Sequence, residues 1–288
     1  MTAVLFDRPQ GAPLSAPAAM VSEQSLVSVI MTCFNTAQWL ESAIRSVLGQ
    51  RGWERLELIV VNDGSTDECP RILTRLASQD SRIRPFHLAR NHGTYRAKNI
   101  GMSISRGELI TFMDSDDISY SDRISVQARL LLDADLIATT CNYVRVDSAN
   151  QIVPMGGLHE RQALISLMFK RKVLGDIGWF DSVRTSADDE FFERIRFVYG
   201  RDAHRNVPRL MYRALYRGES LSTAQSAPVV LAADGAADML SPPRRAYVES
   251  YRRWYDELRS RGRRPYIPFN IVSPRPFPIS RELELQGH

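Results

Sequence analysis

The chain has 288 residues, 44% of them hydrophobic and 24% charged, which is the composition of a globular protein with one sizeable core or two small ones. Its formal net charge of +4 comes largely from arginines near the C-terminus rather than from one uniformly basic face, so nucleic-acid binding is not indicated. Cys33, Cys69 and Cys141 are odd in number and widely spaced without a CxxC pair, so neither a disulfide framework nor a zinc site is indicated, and reduced thiols in a cytoplasmic protein fit best.

Residues 1–25 are rich in Ala, Pro and Ser without apolar periodicity and read as a flexible leader. They lack the basic start and apolar stretch of a signal peptide, and no run of about eighteen apolar residues occurs anywhere. From Val27 the pattern changes. VSVIMT is a short β-branched strand, and Thr36 to Gln50 places Leu40, Ile44, Val47 and Leu48 on one helical face. LELIVV is a buried strand ending at Asn62, followed by a helix whose start is marked by Ser65, Thr66 and Asp67. RIRPFHL reads as a third strand, 94–105 as a helix, and ELITFM as a fourth strand ending at Asp114. A helix is expected over 121–132, a strand over LIATTCNYVRV, and a helix or helix plus strand over ALISLMFKRKVL. Asp188 to Tyr199 is an amphipathic helix and VPRLMYRALY a late strand. Residues 226–242 read as a linker, 243–262 as a helix with a Tyr247, Tyr251, Trp254 and Leu258 stripe, and the Pro-punctuated end as irregular chain.

Strands alternating with helices argue for βαβ units around a mostly parallel sheet, in which ligands bind beyond the carboxyl ends of the strands. Polar residues cluster at three such ends: Thr32 to Asn35, Asn62 to Ser65, and Asp114 to Asp117. Three carboxylates within four residues raise one another's pKa unless a positive charge sits among them. Closely spaced Asp side chains also offer Mg²⁺ or Mn²⁺ the hard oxygen ligands it takes, completed by water and substrate phosphates.

Four blocks of the chain resemble glycosyltransferase family 2, over roughly residues 26–222. VSVIMTCFN looks like its opening strand and donor-binding loop, and LIVVNDGSTD like its second strand with a nucleobase-contacting Asp. GTYRAKNIGMSISRGELITFMDSDD is similar to its third block, in which a basic residue and Asn precede a helix and the DxD strand. SLMFKRKVLGDIGWFDSVRTSADDEFFERI resembles the block that carries the catalytic acid. The resemblance implies a GT-A fold, a nucleotide-binding α/β sheet flanked by helices, with residues 26–118 as the donor half and 119–225 as the acceptor half; 226–288 would be a helical and irregular extension. It implies an inverting transfer of sugar from a nucleoside-diphosphate sugar, UDP-sugars by family habit, to a hydroxyl on a carbohydrate or lipid-linked acceptor. Polysaccharide or glycoconjugate synthesis is the role that follows.

Carried over residue by residue, the resemblance implies donor contacts at Thr32, Phe34, Asn35, Asp63, Lys98, Asp114 and Ser115. The metal, Mn²⁺ or Mg²⁺, would lie at Asp116 with Asp114 facing it or the ribose. Asp63 alone also reads as a turn residue in NDGSTD. Lys98 stands where the family has an Arg, which keeps the charge and loses the planar fork. The base falls six residues before Arg194, at Asp188, with Asp189 as the alternative because Ala187 replaces the family's Glu. Lys98 or Arg217 would assist the leaving diphosphate, while His159 and His204 read as surface or packed histidines.

A haloacid-dehalogenase-like phosphatase also uses a DxD, but after its first core strand, whereas three strands precede this one. A non-catalytic module of the same fold is the other alternative. GxGxxG and GxxxxGK[ST] are both missing, which excludes dinucleotide and P-loop chemistry. The 243–264 segment reads as a Tyr/Trp stripe packed on the domain with arginines in water; contact with anionic lipid at the inner membrane face is its alternative.

Overall fold

The apolar runs become the strands of one mixed sheet. The computed structural model describes residues 22, 24–154, 157–217, 230–231, 237–238 and 241–285. Its strands are β1 (Val27–Cys33), β2 (Leu56–Asn62), β3 (Ile83–His87), β4 (Leu109–Asp114), β5 (Ile118–Ser119), β6 (Ala138–Val146), β7 (Glu160–Lys170) and β8 (His204–Leu215), with a separate two-residue pair, β9 (Val230–Leu231) and β10 (Ala237–Asp238). The helices are α1 (Ala37–Leu48), α2 (Cys69–Ala77), α3 (Thr94–Ile104), α4 (Arg123–Asp133), α5 (Lys172–Ile177), α6 (Ala187–Tyr199) and α7 (Pro242–Ser260).

The eight-stranded sheet runs β3-β2-β1-β4-β7-β6-β8-β5. The β3-β2-β1-β4 half is wholly parallel and built from βαβ crossovers, and β6 also pairs parallel with β8. β7 runs antiparallel to both β4 and β6, and β5 antiparallel to β8. Alternate residues of each central strand serve opposite faces, as the two-residue period requires. Val29 and Met31 of β1 join α1, α2 and α4 in one core layer; Ile30 joins α3, α5, α6 and α7 in the other.

Several expectations need correction. ALISLMFKRKVL is strand then helix, because β7 lies between two neighbours and buries Leu167, Met168 and Phe169, giving a continuous apolar run that periodicity alone cannot assign. α2 starts at Cys69 rather than at Ser65: Asp67 is used in the loop, where its carboxylate accepts from the backbone N–H of Ala37 at 2.9 Å and of Cys69 at 3.0 Å. Lys98 and Asn99 lie inside α3, within the helix expected over 94–105, and not before a helix as the family block implied. The leader does not reach residue 25, since Ser25 is buried and its carbonyl accepts from Trp53 Nε1 at 3.1 Å. The rest of the leader, residues 1–21 and 23, lies outside the described residues, as does most of the expected 226–242 linker.

α7 packs largely as the stripe suggested. Tyr247, Tyr251 and Leu258 are buried on the domain, but Trp254 is only half-buried and Tyr255 is buried in addition, while Arg252, Arg253 and Arg259 point to water. The chain beyond it is irregular apart from one 3-10 turn at Arg281–Leu283, yet it is stitched to the α5–α6 connection: Trp179 N donates to Ile267 O at 2.9 Å and Ile267 N to Ile177 O at 3.1 Å. No helix among the described residues is long and apolar enough to cross a membrane.

Candidate active site

The strand register gathers the polar clusters into one row. Thr32 lies beside Asp114, and Cys33 beside Asn62, at the carboxyl ends of β1, β4 and β2. Three loops leave this row, and their side chains are cross-linked. Asn35, in the left-handed region at φ 53, takes a bond from Thr66 N at 2.9 Å through Oδ1, and its own N–H donates to Ser65 Oγ at 3.1 Å. Thr36 and Ser115 share a hydroxyl contact of 2.9 Å, and Thr32 and Thr94 one of 3.2 Å. Phe34 projects from this frame, 45% exposed.

Asp63 is buried, and its two oxygens accept from His92 N at 2.7 Å and Gly93 N at 2.9 Å. Burial raises its carboxyl, and the two N–H donors pull the other way. Asp63 therefore shapes the loop before α3, and each oxygen keeps one lone pair for a further donor.

The DxD carboxylates face two cations. Lys98 Nζ sits 3.3 Å from Asp114 Oδ1 and above the rings of Tyr95 and Phe112, each 5.8 Å to the centroid. Arg217 Nη2 sits 2.5 Å from Asp116 Oδ2, and its guanidinium lies 4.8 Å over the Trp39 ring. Burial and then the charge of Asp114 raise the Asp116 carboxyl, against the Arg217 attraction. Asp117 belongs to the fold: it is buried, accepts from Tyr212 OH and Leu215 N at 2.8 Å each, and is pushed far up by burial and by Asp116 and Asp114.

Among the described residues no group of three or more His, Cys, Asp or Glu side chains is arranged to hold a metal. Two hard carboxylates at a strand end nonetheless match the chemistry of a divalent cation that shares its shell with a ligand's phosphates and water. Asp114, with 41% of its side chain accessible, is the one open to such a ligand.

On the other wall, α6 begins with three consecutive acids turned in three directions. Asp188 Oδ1 accepts from Tyr95 OH at 2.5 Å, which links it through α3 to Lys98 and the DxD. Asp189 Oδ2 lies 3.7 Å from Arg244 Nη2 of α7, and its carboxyl is pushed up to about 7 by lost hydration and then by Asp188. Glu190 is fully buried against Arg194 at 2.8 Å and Tyr255 OH at 2.7 Å. Glu190 and Arg194, the residue from which the base was counted back, are thus one internal ion pair.

Tyr95, Trp39, Tyr212 and Arg244 were not foreseen as site residues. Tyr95 stands three residues before Lys98 on α3, so helical spacing alone places the two side by side. Trp39 lies off the apolar stripe of α1 in its first turn, where its ring meets Arg217. Nothing local marks Tyr212 or Arg244, whose partners are 95 or 58 residues away in the chain. His204 is a packed histidine, 2.9 Å from Thr140 Oγ1, stacked edge-on with Phe192 and driven down to about 4 by burial; His159 is exposed.

The model of the glycosyl transferase family 2 domain matches residues 28–192. A Haemophilus influenzae protein described as an uncharacterized glycosyltransferase is 37% identical over 128 residues, 44% of this chain and 51% of that protein. The Streptococcus pneumoniae glycosyltransferase GlyG is 34% identical over 125 residues, 43% of this chain and 41% of GlyG. The matched region thus spans about half or less of these relatives. Among solved structures, Staphylococcus aureus TarS 1–349 in complex with UDP superposes with TM-score 0.55 at 17% identity, covering 69% of this chain and 63% of that one. The mannosyltransferase PcManGT of Pyrobaculum calidifontis, in complex with GDP-Man and Mn²⁺, gives 0.53 at 18%, covering 70% and 60%. These likenesses agree with the sheet order and helix layers described above, and with a family model that covers more than half of the sequence, from the first strand into the acid-bearing helix, the chain belongs to glycosyl transferase family 2.

Proposed function

We propose that the protein is an inverting glycosyltransferase that moves a sugar from a nucleoside-diphosphate sugar to a hydroxyl acceptor. The observation that carries this reading is the linkage of two acid sets through α3: Asp114 pairs with Lys98 beside the Asp116–Arg217 pair at the strand ends, and Asp188 accepts from Tyr95, three residues before Lys98 on the same helix. The neighbours solved with UDP, UDP-GlcNAc and GDP-Man support a nucleotide-sugar donor, and UDP-sugars are the first to try.

In this reading Phe34, Asn35 and Asp63 border the nucleoside, with Thr32 and Ser115 holding the loops that shape its pocket. Asp114 and Asp116 would hold Mn²⁺ or Mg²⁺ together with the donor's diphosphate, and the bound ion would supply Lewis-acid stabilisation of the leaving charge. Lys98 and Arg217 add fixed positive charge at the same place. Asp188 removes the proton of the acceptor hydroxyl as its oxygen attacks the anomeric carbon. The new C–O bond forms while the bond to the diphosphate breaks, the proton stays on Asp188, and the configuration inverts. Removal of that proton by a positioned base is worth about 10²- to 10⁴-fold. Asp188 is favoured over Asp189 because it points toward α3 and the DxD, whereas Asp189 turns to α7. The acceptor is a carbohydrate or lipid-linked glycan in polysaccharide or glycoconjugate assembly. Contact with anionic lipid through 243–264 would be made by its exposed arginines, because the tyrosine stripe is already buried.

The test is release of nucleoside diphosphate from UDP- and GDP-sugars with Mn²⁺, by the intact chain and by Asp188→Asn. The proposal expects turnover that falls at least about 100-fold in the variant while donor affinity holds. An active Asp188→Asn with an inactive Asp189→Asn would move the base to Asp189. Release of inorganic phosphate from phosphomonoesters instead would favour the phosphatase reading.

A further inference from the structure

The family match stops at residue 192, yet the chain beyond it returns to the acids of α6. The N-cap of α6, Ser186, is held at φ 71 in the left-handed region and makes no side-chain capping bond to its own helix. Its Oγ instead accepts from Arg244 Nε at 2.7 Å. The same guanidinium places Nη2 3.7 Å from Asp189 Oδ2, with 19% of the arginine side chain accessible. One residue of α7 therefore grips both sides of the turn from which Asp188 projects.

The grip has a fixed origin. α7 is anchored on the domain by Tyr247 OH, which donates to Asp181 Oδ2 at 3.0 Å, and by Tyr255 OH, which donates to Glu190 Oε1 at 2.7 Å. Arg275, further along the tail, pairs with the other oxygen of Asp181. Arg244 sits in the first turn of α7, whose start is set by Pro242 and Pro243. The groups that act on Asp189 are Asp188 and Glu193 on α6, Tyr251 and Arg244 on α7, and Tyr95 on α3. Arg244 is the cation among them.

We propose that Arg244 is a positioning residue for the reaction: by bracing Ser186 and Asp189 it fixes the first turn of α6 so that Asp188 alone faces the donor crevice. This rests on the reading of Asp188 as the base. Without the brace, two adjacent carboxylates repel in a partly dehydrated crevice, and the turn is free to present either one. The extension is then part of the catalytic machinery, supplied from outside the family domain.

The test uses the full chain with Arg244→Ala, Arg244→Lys and, as a surface control on the same helix, Arg253→Ala. With aspartate labelled at its carboxyl carbon and Asp189 assigned through Asp189→Asn, NMR titration follows that group without substrate. Loss of the opposite charge should raise the Asp189 midpoint by about one pH unit in Arg244→Ala, and Arg244→Lys should restore most of it. In the nucleoside-diphosphate release assay, kcat should fall about tenfold in Arg244→Ala with donor KM unchanged, the scale of a small misplacement of a reacting group. An Asp189 midpoint that does not move, or a kcat equal to that of Arg253→Ala, overturns the inference. If Arg244→Ala does not fold, Arg244→Lys carries the decision through kcat: the lysine keeps the charge beside Asp189 but cannot also span to Ser186, so a kcat identical to the wild type overturns the inference. A wild-type chain that releases no nucleoside diphosphate defeats the proposed function instead, while the titration still reads the brace.

Discussion

Replacement of Arg194 by Met removes the cation from the interior of α6 and tests what holds the acid-bearing helix in place. Arg194 and Glu190 are both 0% exposed, one turn apart, with Nη2 2.8 Å from Oε2. The guanidinium also donates to Ile177 O at 2.5 Å and Trp179 O at 2.7 Å, so it ties α6 to the end of α5. Without it Glu190 keeps Tyr255 OH as a partner and must take up a proton or remain an uncompensated charge, and two carbonyls each lose a donor, Ile177 O retaining Ile267 N. Breaking a buried pair in this way costs about 3–5 kcal/mol, which corresponds to a fall in melting temperature of roughly 10 °C for a domain of this size. Thermal unfolding followed by circular dichroism reads it. The double variant Arg194→Met/Glu190→Leu, which removes both charges, should recover more than half of the loss, because a buried pair contributes far less than its broken half costs. A single variant that melts within about 1 °C of the wild type would refute the reasoning, as would a double variant no more stable than the single.

The Asp189 carboxyl, raised from 3.8 to about 7, binds its proton more tightly in the folded than in the unfolded chain, so its contribution to stability falls as pH rises between those values. Melting curves at pH 5 and pH 8 should therefore diverge for wild type and Asp189→Asn, the variant gaining on the wild type at pH 8; parallel profiles would contradict this. Gly178, at φ 81, would place an added Cβ 2.0 Å from Ile267 O. Gly178→Ala should cost about 3 kcal/mol or more by combining backbone strain with displacement of the 267 segment, and limited proteolysis should then cut first after α7; an unchanged cleavage pattern would argue that the tail is not held there.

How much was legible follows from where the information sits. β1, β2 and β4 each carry their whole signal locally, an apolar β-branched run followed by polar residues, and the register that sets Thr32 beside Asp114 and Cys33 beside Asn62 follows from parallel pairing of such runs. Asp188 and Asp189 were legible only through a longer block, because acids in a first helical turn are equally explained by the helix dipole. β7 failed because a strand with neighbours on both edges and a buried helix share one composition. The two-residue β5 leaves no pattern at all; it exists because β8 runs past it. The C-terminal extension was readable as a helix with a packed stripe, but not as a wall of the site. The bonds of Arg244, Arg275 and Leu283 to the 181–189 region are tertiary, between segments about 58 to 100 residues apart, for which single-sequence periodicity has no term.

The central claim is that Asp114 and Asp116 form a metal-assisted site for a nucleoside diphosphate, and calorimetric titration tests it most directly. UDP, GDP and CDP are titrated into the full chain with and without Mn²⁺, and again into Asp116→Ala. The account predicts that at least one of them binds in the presence of Mn²⁺, that omission of the ion weakens binding about tenfold or more, and that Asp116→Ala abolishes the metal-dependent part. Binding that is indifferent to both metal and Asp116, or no binding of any nucleoside diphosphate under either condition, would contradict it.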